Sequence, residues 1–269
     1  MKQAIECSKF VYEGIHLMKI GIIGALDEEL VPIRALSHHL EKIERGNRTY
    51  WHGDMHGHQV YLTRCDPGKV NAVIATQQLL DFFTPDCLFN MGSSGALAPN
   101  LEVGDLVVAT DAIQHDFDLT GWGMKPGEIL FDVVTKPETG QLGFTSRHAF
   151  ITDPKLTDLA FETARSLSLD EINGHKPAVY KGRVVSGDQF ISSTEKAGQL
   201  LTIHNALAVD MEAAAIAHTC EINKVPFLCV RAMSDKADHS ANVSFTDFLV
   251  AATDNYGKVF DKLIQQLGK

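Results

Sequence analysis

Carboxylate side chains follow three Val- and Ile-rich runs of the sequence, at the points where each run ends. Glu29 follows the first run, Asp210 and Glu212 follow the second, and Asp235 follows the third. Because the carboxyl ends of strands form the ligand crevice of an open α/β sheet, these acids can converge on one ligand and transfer protons to or from it. Each acid taken singly also fits a helix cap or a partner of a helix N-terminus.

A glycine-flanked serine pair follows another strand-like run. Gly92–Gly95 (GSSG) lacks the Lys-Ser/Thr ending of a phosphate-binding loop, and Gly21–Gly24 (GIIG) lacks the GxGxxG pattern of a dinucleotide fold. The amides and hydroxyls of Ser93 and Ser94 can still approach an anion or a ribose. The alternative is a tight turn that binds no ligand.

Histidines and aspartates at short spacing raise the question of a metal site. His52, His56 and His58 lie in the segment HGDMHGH, and Asp116 and Asp118 share strand parity in HDFDLT. No Cys or Glu completes a ligand set beside the histidines, and the glycines between them indicate bends. We therefore expect solvent-facing histidines, aspartates that cap a turn, and no bound metal.

Alternating strand-like and helix-like runs predict an α/β fold with a mixed or parallel sheet. The predicted strands cover Lys19–Gly24, the two halves of Tyr50–Cys65, Cys87–Met91, Leu106–Ala112, Ala178–Ser186 and Pro226–Ala232. The predicted helices cover Lys69–Phe83, Asp153–Leu167, Glu212–Glu221 and Phe245–Leu267. The glycine-rich segment 120–147 is expected to be a loop with at most short strands.

The chain carries no linker, internal repeat or low-complexity segment, so we expect a single domain over residues 18–269. Residues 1–17 are expected to form an extension outside the core. Charged residues are scattered through that extension, whereas an export signal needs an unbroken apolar stretch. The five cysteines form no CxxC pair, which favours a reducing, cytoplasmic location.

The charge of the chain argues against several classes of partner. It has 24 Lys and Arg against 34 Asp and Glu, a formal net charge of −10. A surface of that sign repels phosphate backbones and anionic lipid, so nucleic acid and membrane are not expected partners. The longest stretch without a charge, Cys87–Leu101, is too short and too polar to span a bilayer.

Six motifs in order resemble those of the 5′-methylthioadenosine/S-adenosylhomocysteine nucleosidases of the nucleoside phosphorylase superfamily. The motifs are MKIGIIGALDEE, LFNMGSSGALAPNLEVGDLVV, HDFD, VVSGDQFI, VDMEAAAIAH and FLCVRAMSDKAD. The resemblance implies one α/β domain around a central mixed, partly barrel-like β-sheet flanked by helices. It also implies a homodimer that needs no cofactor or metal. The implied reaction hydrolyses the N-glycosidic bond of methylthioadenosine and adenosylhomocysteine, releasing adenine and the thioribose.

The resemblance also implies which residues catalyse the reaction. Glu29 matches the carboxylate that activates the attacking water, and Ser93 and Arg231 are expected beside it. Asp235 matches the acid that hydrogen-bonds adenine N7, and Ser234 is expected next to it. Carboxyl groups suit this chemistry. Cleavage of the bond builds negative charge on the adenine, which an acid can neutralise, and water is too weak a nucleophile unless a proton acceptor assists it.

Further residues are implied to bind the substrate. Glu212 matches the carboxylate that accepts the two ribose hydroxyls, and Met211 packs on the sugar. Phe190 matches the ring that stacks on adenine, and the backbone of Ile191 reads its edge. From the residues alone, a lone Phe after a strand is more often a core residue than a stacking surface. Phe245 matches a wall of the 5′-alkylthio pocket.

The sequence departs from the family pattern at several positions. Asp210 replaces a glutamate, Leu26 a methionine, and Asp66-Pro67 a Gly-Ile pair at a turn beside the 5′ pocket. Asp66 either caps that turn and faces solvent or tunes selectivity for the 5′ group, since proline restricts the residue before it. We assign no catalytic role to Asp210.

Three alternative functions deserve comparison with the nucleosidase. A purine nucleoside phosphorylase would need arginines to hold phosphate, and Asn90 stands where related phosphorylases have Arg. A futalosine hydrolase of the same fold would differ in the base and the 5′ group. A nucleoside-binding protein without turnover would have lost one of the three acids Glu29, Glu212 and Asp235, and all are present.

Overall fold

The computed structural model describes residues 17–239 and 241–268 of the chain. In the last helix it describes the backbone of residues 242–253 without their side chains. The expected N-terminal extension, except for Leu17, and the side chain of Phe245 therefore lie outside the described part of the molecule.

The described chain forms 12 strands and 6 α-helices. The strands are β1 (Lys19–Gly24), β2 (His38–Arg45), β3 (Arg48–Met55), β4 (His58–Arg64), β5 (Cys87–Ala96), β6 (Leu106–Gln114), β7 (Ile129–Thr135), β8 (Leu142–Arg147), β9 (Phe150–Ile151), β10 (Val179–Ser186), β11 (Ala208–Asp210) and β12 (Phe227–Asp235). The helices are α1 (Asp27–Leu36), α2 (Lys69–Phe83), α3 (Pro154–Ser166), α4 (Thr194–His204), α5 (Ala213–Asn223) and α6 (Ala241–Gln266).

One large mixed sheet organises the fold. Its strand order is β11-β10-β6-β12-β5-β1-β4-β3-β2, and β11 also pairs with β5. That additional pairing closes five strands into a barrel-like arrangement flanked by the helices, which confirms the α/β fold expected from the sequence. The central strands β5, β6 and β12 are buried on both faces, as expected for strands covered on both sides.

Gly95 shows how the barrel closes. It lies opposite Val209 of β11 on one side and opposite Asp235 of β12 on the other. A Cβ at this position would come within 3.0 Å of Asp235 Oδ1 and of Ala237 Cβ. Only glycine therefore lets the two neighbouring strands approach β5 this closely.

Several sequence-based predictions of elements are confirmed, and one strand was predicted too short. Helix α2 has the predicted bounds, Lys69–Phe83. The strand predicted over Cys87–Met91 continues to Ala96, so GSSG is not a turn. The ladder with β12 pairs these residues and holds them extended. Segment 120–147, predicted as a loop with at most short strands, contains the β7–β8 hairpin, whose strands are 7 and 6 residues long.

The histidine segment agrees with its prediction only in part, since His56 is exposed whereas His58 is not. His58 is 1% exposed rather than solvent-facing, and its Nδ1 accepts the backbone N–H of Met18 at 3.1 Å. His52 stacks on Tyr61 with ring centroids 4.7 Å apart. His56 lies 2.8 Å from Asp261 Oδ1. The histidines therefore hold β3 and β4 against neighbouring segments.

Helix α6 packs against the start of α1 and fixes its position. The buried Tyr256 hydroxyl donates to the backbone oxygen of Glu29 at 2.9 Å. A Cβ at Gly257 would come within 2.7 Å of Pro32 Cβ, so the two helices are in close contact there. This packing matters for function because Glu29 is the first of the predicted catalytic residues.

Candidate active site

Most of the site residues predicted from the sequence line one cavity. Its volume is about 220 Å³, and it lies where β1, β5, β11 and β12 meet. Of the ten predicted site residues, eight line it: Glu29, Ser93, Phe190, Ile191, Met211, Glu212, Ser234 and Asp235. Arg231 is not in the lining, and the side chain of Phe245 lies outside the described residues.

The Glu29 carboxylate accepts four hydrogen bonds. Its Oε2 accepts the backbone N–H groups of Ala25 at 2.6 Å and Leu26 at 3.1 Å, an arrangement that caps the start of α1. Its Oε1 accepts the N–H of Ser93 at 2.8 Å and the Ser93 hydroxyl at 3.0 Å. A carboxylate offers about four lone-pair sites, so these donors fix the orientation of Glu29.

Asp235 ends β12 and is 3% exposed. Its Oδ1 accepts the N–H of Ala237 and its Oδ2 accepts the Ser234 hydroxyl, both at 2.8 Å. Burial raises the pKa of the Asp235 carboxyl, although these two bonds pull it in the opposite direction. The group is thus suited to keep a proton that it can donate to a ligand.

Glu212 lies between β11 and α5, at the cap position of that helix. Its Oε1 accepts the N–H of Gly68 at 2.9 Å, which joins the turn before α2 to the site. Burial, with a contribution from nearby Asp210, raises the pKa of the Glu212 carboxyl. Two ligand hydroxyls that donate to Glu212 would stabilise its ionised carboxylate, as water does for an exposed glutamate.

The raised pKa of Glu212 makes the stability of the empty protein dependent on pH. Between the unfolded glutamate value of about 4.3 and the higher folded value, the folded state binds more protons, so stability falls as pH rises. The slope is at most about 1.4 kcal/mol per pH unit. We expect Glu212→Gln to remove this contribution, with a shallower decline in the free energy of unfolding above about pH 5.

Urea unfolding at successive pH values measures this slope. The matched control is Glu162→Gln, at an exposed position of α3. Parallel wild-type and Glu212→Gln curves across this range would show that Glu212 does not carry a raised pKa.

Arg231 lies behind the cavity wall rather than in it. It is 1% exposed, and its Nη2 lies 2.5 Å from Asp210 Oδ2 and donates to Asn90 Oδ1 at 2.6 Å. A Cβ at Gly92 would come within 2.5 Å of Arg231 Nη1 and 2.7 Å of Glu29 Oε1. A buried guanidinium needs such a partner charge, and this one lies alongside Glu29.

Asp210 completes that internal network. Its Oδ1 accepts the Ser186 hydroxyl and the N–H groups of Glu212 and Ala213, while Oδ2 faces Arg231. These contacts fix the β11–α5 turn from which Met211 and Glu212 face the cavity. Asp210 itself also contributes to the cavity wall.

The remaining predicted residues form the flat and apolar parts of the wall. Phe190 is 47% exposed at the mouth, whereas Ile191 is buried beside it. Leu26 and Pro67 add apolar surface at another side of the cavity. The exposed face of Phe190 agrees better with a stacking surface than with the core position that was the alternative.

Some lining residues were missed by the sequence reasoning. Gln189, Val209 and Ser94 also line the cavity, and the Ser94 hydroxyl donates to the Val209 backbone oxygen at 3.0 Å. Gln189 precedes the predicted Phe190, Ser94 is the second serine of the pair named from the sequence, and Val209 ends the apolar run before Asp210. Their positions next to strand ends were therefore the sequence signal by which these lining residues could have been found.

The HDFD motif supports the site from outside. Asp116 Oδ1 lies 2.6 Å from Lys69 Nζ, and Asp116 Oδ2 accepts the N–H of Asp188 at 2.9 Å. Asp188 in turn accepts the N–H of Lys69 at 2.7 Å. These contacts hold the start of α2, where Gly68 donates to Glu212.

The cavity wall is acidic. Among the described residues that line it, Glu29, Asp210, Glu212 and Asp235 are carboxylic and none is Lys or Arg. Arg231, the nearest guanidinium described above, is enclosed and paired. A site of this charge disfavours a phosphate dianion and suits a neutral nucleophile such as water.

Comparison with known proteins agrees with this architecture. The sequence model of the Phosphorylase superfamily matches residues 19–265, so the chain belongs to that superfamily. Over 251 residues it is 35% identical to the 5′-methylthioadenosine/S-adenosylhomocysteine nucleosidase of Tolumonas auensis, covering 93% of this chain and 100% of the relative. The resemblance inferred from the six motifs is thereby confirmed.

Solved structures show the same relationship. The 5′-methylthioadenosine/S-adenosylhomocysteine nucleosidase from Neisseria meningitidis, in complex with methylthio-immucillin-A, superposes with a TM-score of 0.81 at 34% identity, covering 93% of this chain and 100% of that one. The futalosine hydrolase of Helicobacter pylori superposes with a TM-score of 0.79 at 30% identity, covering 93% and 99% of the two chains.

Proposed function

We propose that this enzyme hydrolyses the C1′–N9 bond of 5′-methylthioadenosine and S-adenosylhomocysteine, releasing adenine and the corresponding thioribose. The observation that carries the proposal is the convergence of Glu29, Glu212 and Asp235 in one cavity whose wall holds no Lys or Arg among its described residues. The names of the related nucleosidases support the choice of substrates.

Asp235 protonates the leaving base. As the C1′–N9 bond breaks, its electron pair moves onto adenine, and a proton from the Asp235 carboxyl to N7 neutralises the charge. The burial that raises the pKa of Asp235 keeps this proton available. Ser234, which donates to Oδ2, holds the carboxyl in place.

Glu29 activates the water. The water oxygen bonds to C1′ on the face opposite adenine, and its proton passes to the Glu29 carboxylate. Because Glu29 already accepts four protein donors, the Ser93 hydroxyl turns away from Oε1 when water donates there. Arg231 acts as a positioning residue, since it touches Asp210 rather than the cavity.

Glu212 and Met211 hold the ribose. The Glu212 carboxylate accepts the 2′- and 3′-hydroxyls, which orients C1′ toward the water, and Met211 packs on the sugar. On the base, Phe190 stacks on the purine and the Ile191 backbone reads its Watson–Crick edge. Leu26 and Pro67 enclose the 5′-alkylthio group; the family resemblance assigns Phe245, whose side chain lies outside the described residues, to the same pocket.

Water is the nucleophile in this proposal, and phosphate is excluded by charge. A phosphorylase binds its dianion with guanidinium groups that fork onto the oxygens. Here Asn90 holds Arg231 and donates its amide to the Ile23 backbone oxygen at 2.9 Å. Neither residue is left to bind phosphate.

Release of the free purine base, adenine or hypoxanthine according to the nucleoside, tests the proposal. Methylthioadenosine, adenosylhomocysteine, futalosine and inosine are each assayed with and without phosphate. We expect turnover of the first two, unaffected by phosphate. Preferential cleavage of futalosine would favour the alternative that the Helicobacter pylori structure represents, and dependence on phosphate would indicate a phosphorylase.

We also propose a homodimer in which the partner subunit helps to close the 5′ pocket. Val70, Val73 and Ile74 form an apolar stripe on α2 that is 69%, 40% and 42% exposed. The stripe begins two residues after Gly68, whose N–H binds Glu212. Burying apolar surface contributes about 25 cal/mol per Å², so this face favours association.

Sedimentation velocity tests the dimer. We expect a species of twice the mass of the 29.5 kDa chain, shifted toward monomer by Val73→Glu with a parallel loss of activity. Val31→Glu, an exposed apolar position on α1, is the matched control. A fully active wild-type monomer would contradict the proposal.

The proposal includes a reducing, cytoplasmic location. The described cysteines, Cys65, Cys87, Cys220 and Cys229, are buried and form no disulfide with one another. Burial raises the pKa of the Cys87 and Cys229 thiols to about 12, so neither is a reactive thiolate at neutral pH. None of the described helices is long and apolar enough to cross a bilayer.

A further inference from the structure

The start of α2 is held by carboxylates from other segments of the chain. Its cap residue, Gly68, has a φ of +101° and no side chain for capping, and the first turn of α2, residues 69–72, contains no acidic residue. The N–H of Gly68 donates instead to Glu212 Oε1 at 2.9 Å, and the N–H of Lys69 donates to Asp188 Oδ1 at 2.7 Å. Two consecutive N–H groups at the positive end of the helix therefore bind two carboxylates.

Asp116 contacts both residues of the outer of these two bonds. Its Oδ1 lies 2.6 Å from Lys69 Nζ, and its Oδ2 accepts the N–H of Asp188 at 2.9 Å. The Asp116 carboxylate thus holds the side chain of Lys69 directly and the backbone of Lys69 through Asp188. Because Gly68 precedes Lys69 in the chain, the same contacts determine where the N–H that binds Glu212 lies.

The ion pair between Asp116 and Lys69 is largely enclosed, with side chains that are 14% and 17% exposed. Although burial alone would raise it, the hydrogen bonds from Lys69 and from the N–H of Asp188 hold the pKa of Asp116 below its ordinary value. Asp116 is therefore ionised at neutral pH. Removing one partner of an enclosed pair has a larger effect than breaking an exposed one.

The three segments that carry Asp116, Asp188 and Gly68 are in close contact. A Cβ at Gly187 would come within 2.4 Å of His115 Nε2 and 3.0 Å of Asp116 Cγ. A Cβ at Gly68 would come within 3.1 Å of Asp188 Oδ1. Such close packing leaves little room for one segment to move without the others.

We propose that Asp116 is a positioning residue that aligns Glu212 for the ribose hydroxyls, acting through the start of α2. The inference rests on the proposed function, in which Glu212 accepts the 2′- and 3′-hydroxyls. Asp116 is not among the described residues that line the active-site cavity, so it acts through its neighbours and touches no substrate. With the N–H of Gly68 fixed on Oε1, the Glu212 carboxylate offers its remaining lone pairs to the ribose in one orientation.

The test compares kcat/KM for methylthioadenosine and its 2′-deoxy analogue in the wild type and in Asp116→Asn. We expect a loss of about tenfold for methylthioadenosine and of at most about threefold for the analogue, which lacks one hydroxyl that Glu212 accepts. Asp158→Asn, which breaks the exposed pair with Lys181, is the matched control and is expected to alter neither value. Equal losses for both substrates, or no loss for either, would overturn the positioning role.

A double-mutant cycle separates this role from a general effect on the fold. Its readout is the Kd of a carbon-linked methylthioadenosine analogue that cannot be hydrolysed. Asp116→Asn should weaken binding in the wild-type background and have no further effect beside Glu212→Gln. Additive losses would show that Asp116 does not act through Glu212.

The same cycle distinguishes failure of this inference from failure of the proposed function. Should the wild type cleave neither nucleoside, the proposed function fails, and the cycle is then run with methylthioadenosine itself as the ligand. Coupling between the two substitutions would still support the positioning role. A wild type that binds no methylthioadenosine would overturn both proposals.

Discussion

Replacing Asp235 by Asn is expected to lower kcat for adenine release by about 10²- to 10⁴-fold while leaving the protein folded. The N–H protons of an amide are too weakly acidic to be transferred to N7, so the base would leave as an anion. The amide oxygen can accept the Ala237 N–H in place of Oδ1, and the amide NH₂ in place of Oδ2 can donate to the Ser234 hydroxyl, which then donates to the Ser94 backbone oxygen. Single-turnover kinetics with methylthioadenosine isolates the chemical step from product release.

The matched control for Asp235→Asn is Asp158→Asn, an exposed position on α3 that pairs with Lys181. It makes the same chemical change far from the cavity and should retain wild-type turnover. Equal thermal melting of Asp235→Asn and the wild type establishes folding. A near-normal kcat in folded Asp235→Asn would remove this carboxyl from the mechanism.

Glu29→Gln is the second large effect, and a loss of at least about 10²-fold in kcat is expected. The amide cannot take a proton from water. In addition, its NH₂ group must face either the N–H groups of Ala25 and Leu26 or that of Ser93, all of which need an acceptor. The substitution therefore also costs roughly 1–3 kcal/mol for an unsatisfied donor.

Two measurements keep the catalytic effect of Glu29→Gln separate from that destabilisation. Urea unfolding reports the stability loss directly, and the Kd of a non-hydrolysable nucleoside analogue reports whether the pocket persists. We expect a folded variant that binds the analogue and turns over slowly. A folded variant with wild-type kcat would show that another group activates the water.

The order of helices and strands could be predicted from the sequence wherever the local residue pattern agrees with the way the element packs in the fold. Helix α2 was predicted with its observed bounds because apolar residues recur in it at helical spacing, although Val70, Val73 and Ile74 are exposed and only Leu79 of this set is buried. Strand β5 was cut short because glycine and serine usually form turns. Only the pairing of Gly95 with both β11 and β12 explains why the strand continues.

Strand β2 was missed for the opposite reason. It lies at the edge of the sheet and is mostly exposed, with charged residues at Glu41, Lys42, Glu44 and Arg45. Edge strands carry such charges, so no apolar alternation marks them in the sequence.

The candidate site was predictable to the extent that its residues follow strand ends. Asp235 and Glu29 could be found in this way because the acid positions alone suggest a crevice. The burial of Arg231 could not, since it depends on Asp210 and Asn90 arriving from two other strands. The left-handed backbone conformation of Asp66 is likewise not revealed by proline at position 67.

The central claim is that water, activated by Glu29, attacks C1′ while Asp235 protonates the base. Turnover of methylthioadenosine in water enriched in oxygen-18, with and without phosphate, tests it most directly by mass spectrometry of the sugar. The account predicts free adenine and a thioribose carrying one oxygen-18 in its 1-hydroxyl, in equal yield under both conditions. A thioribose 1-phosphate that forms only when phosphate is present would contradict it.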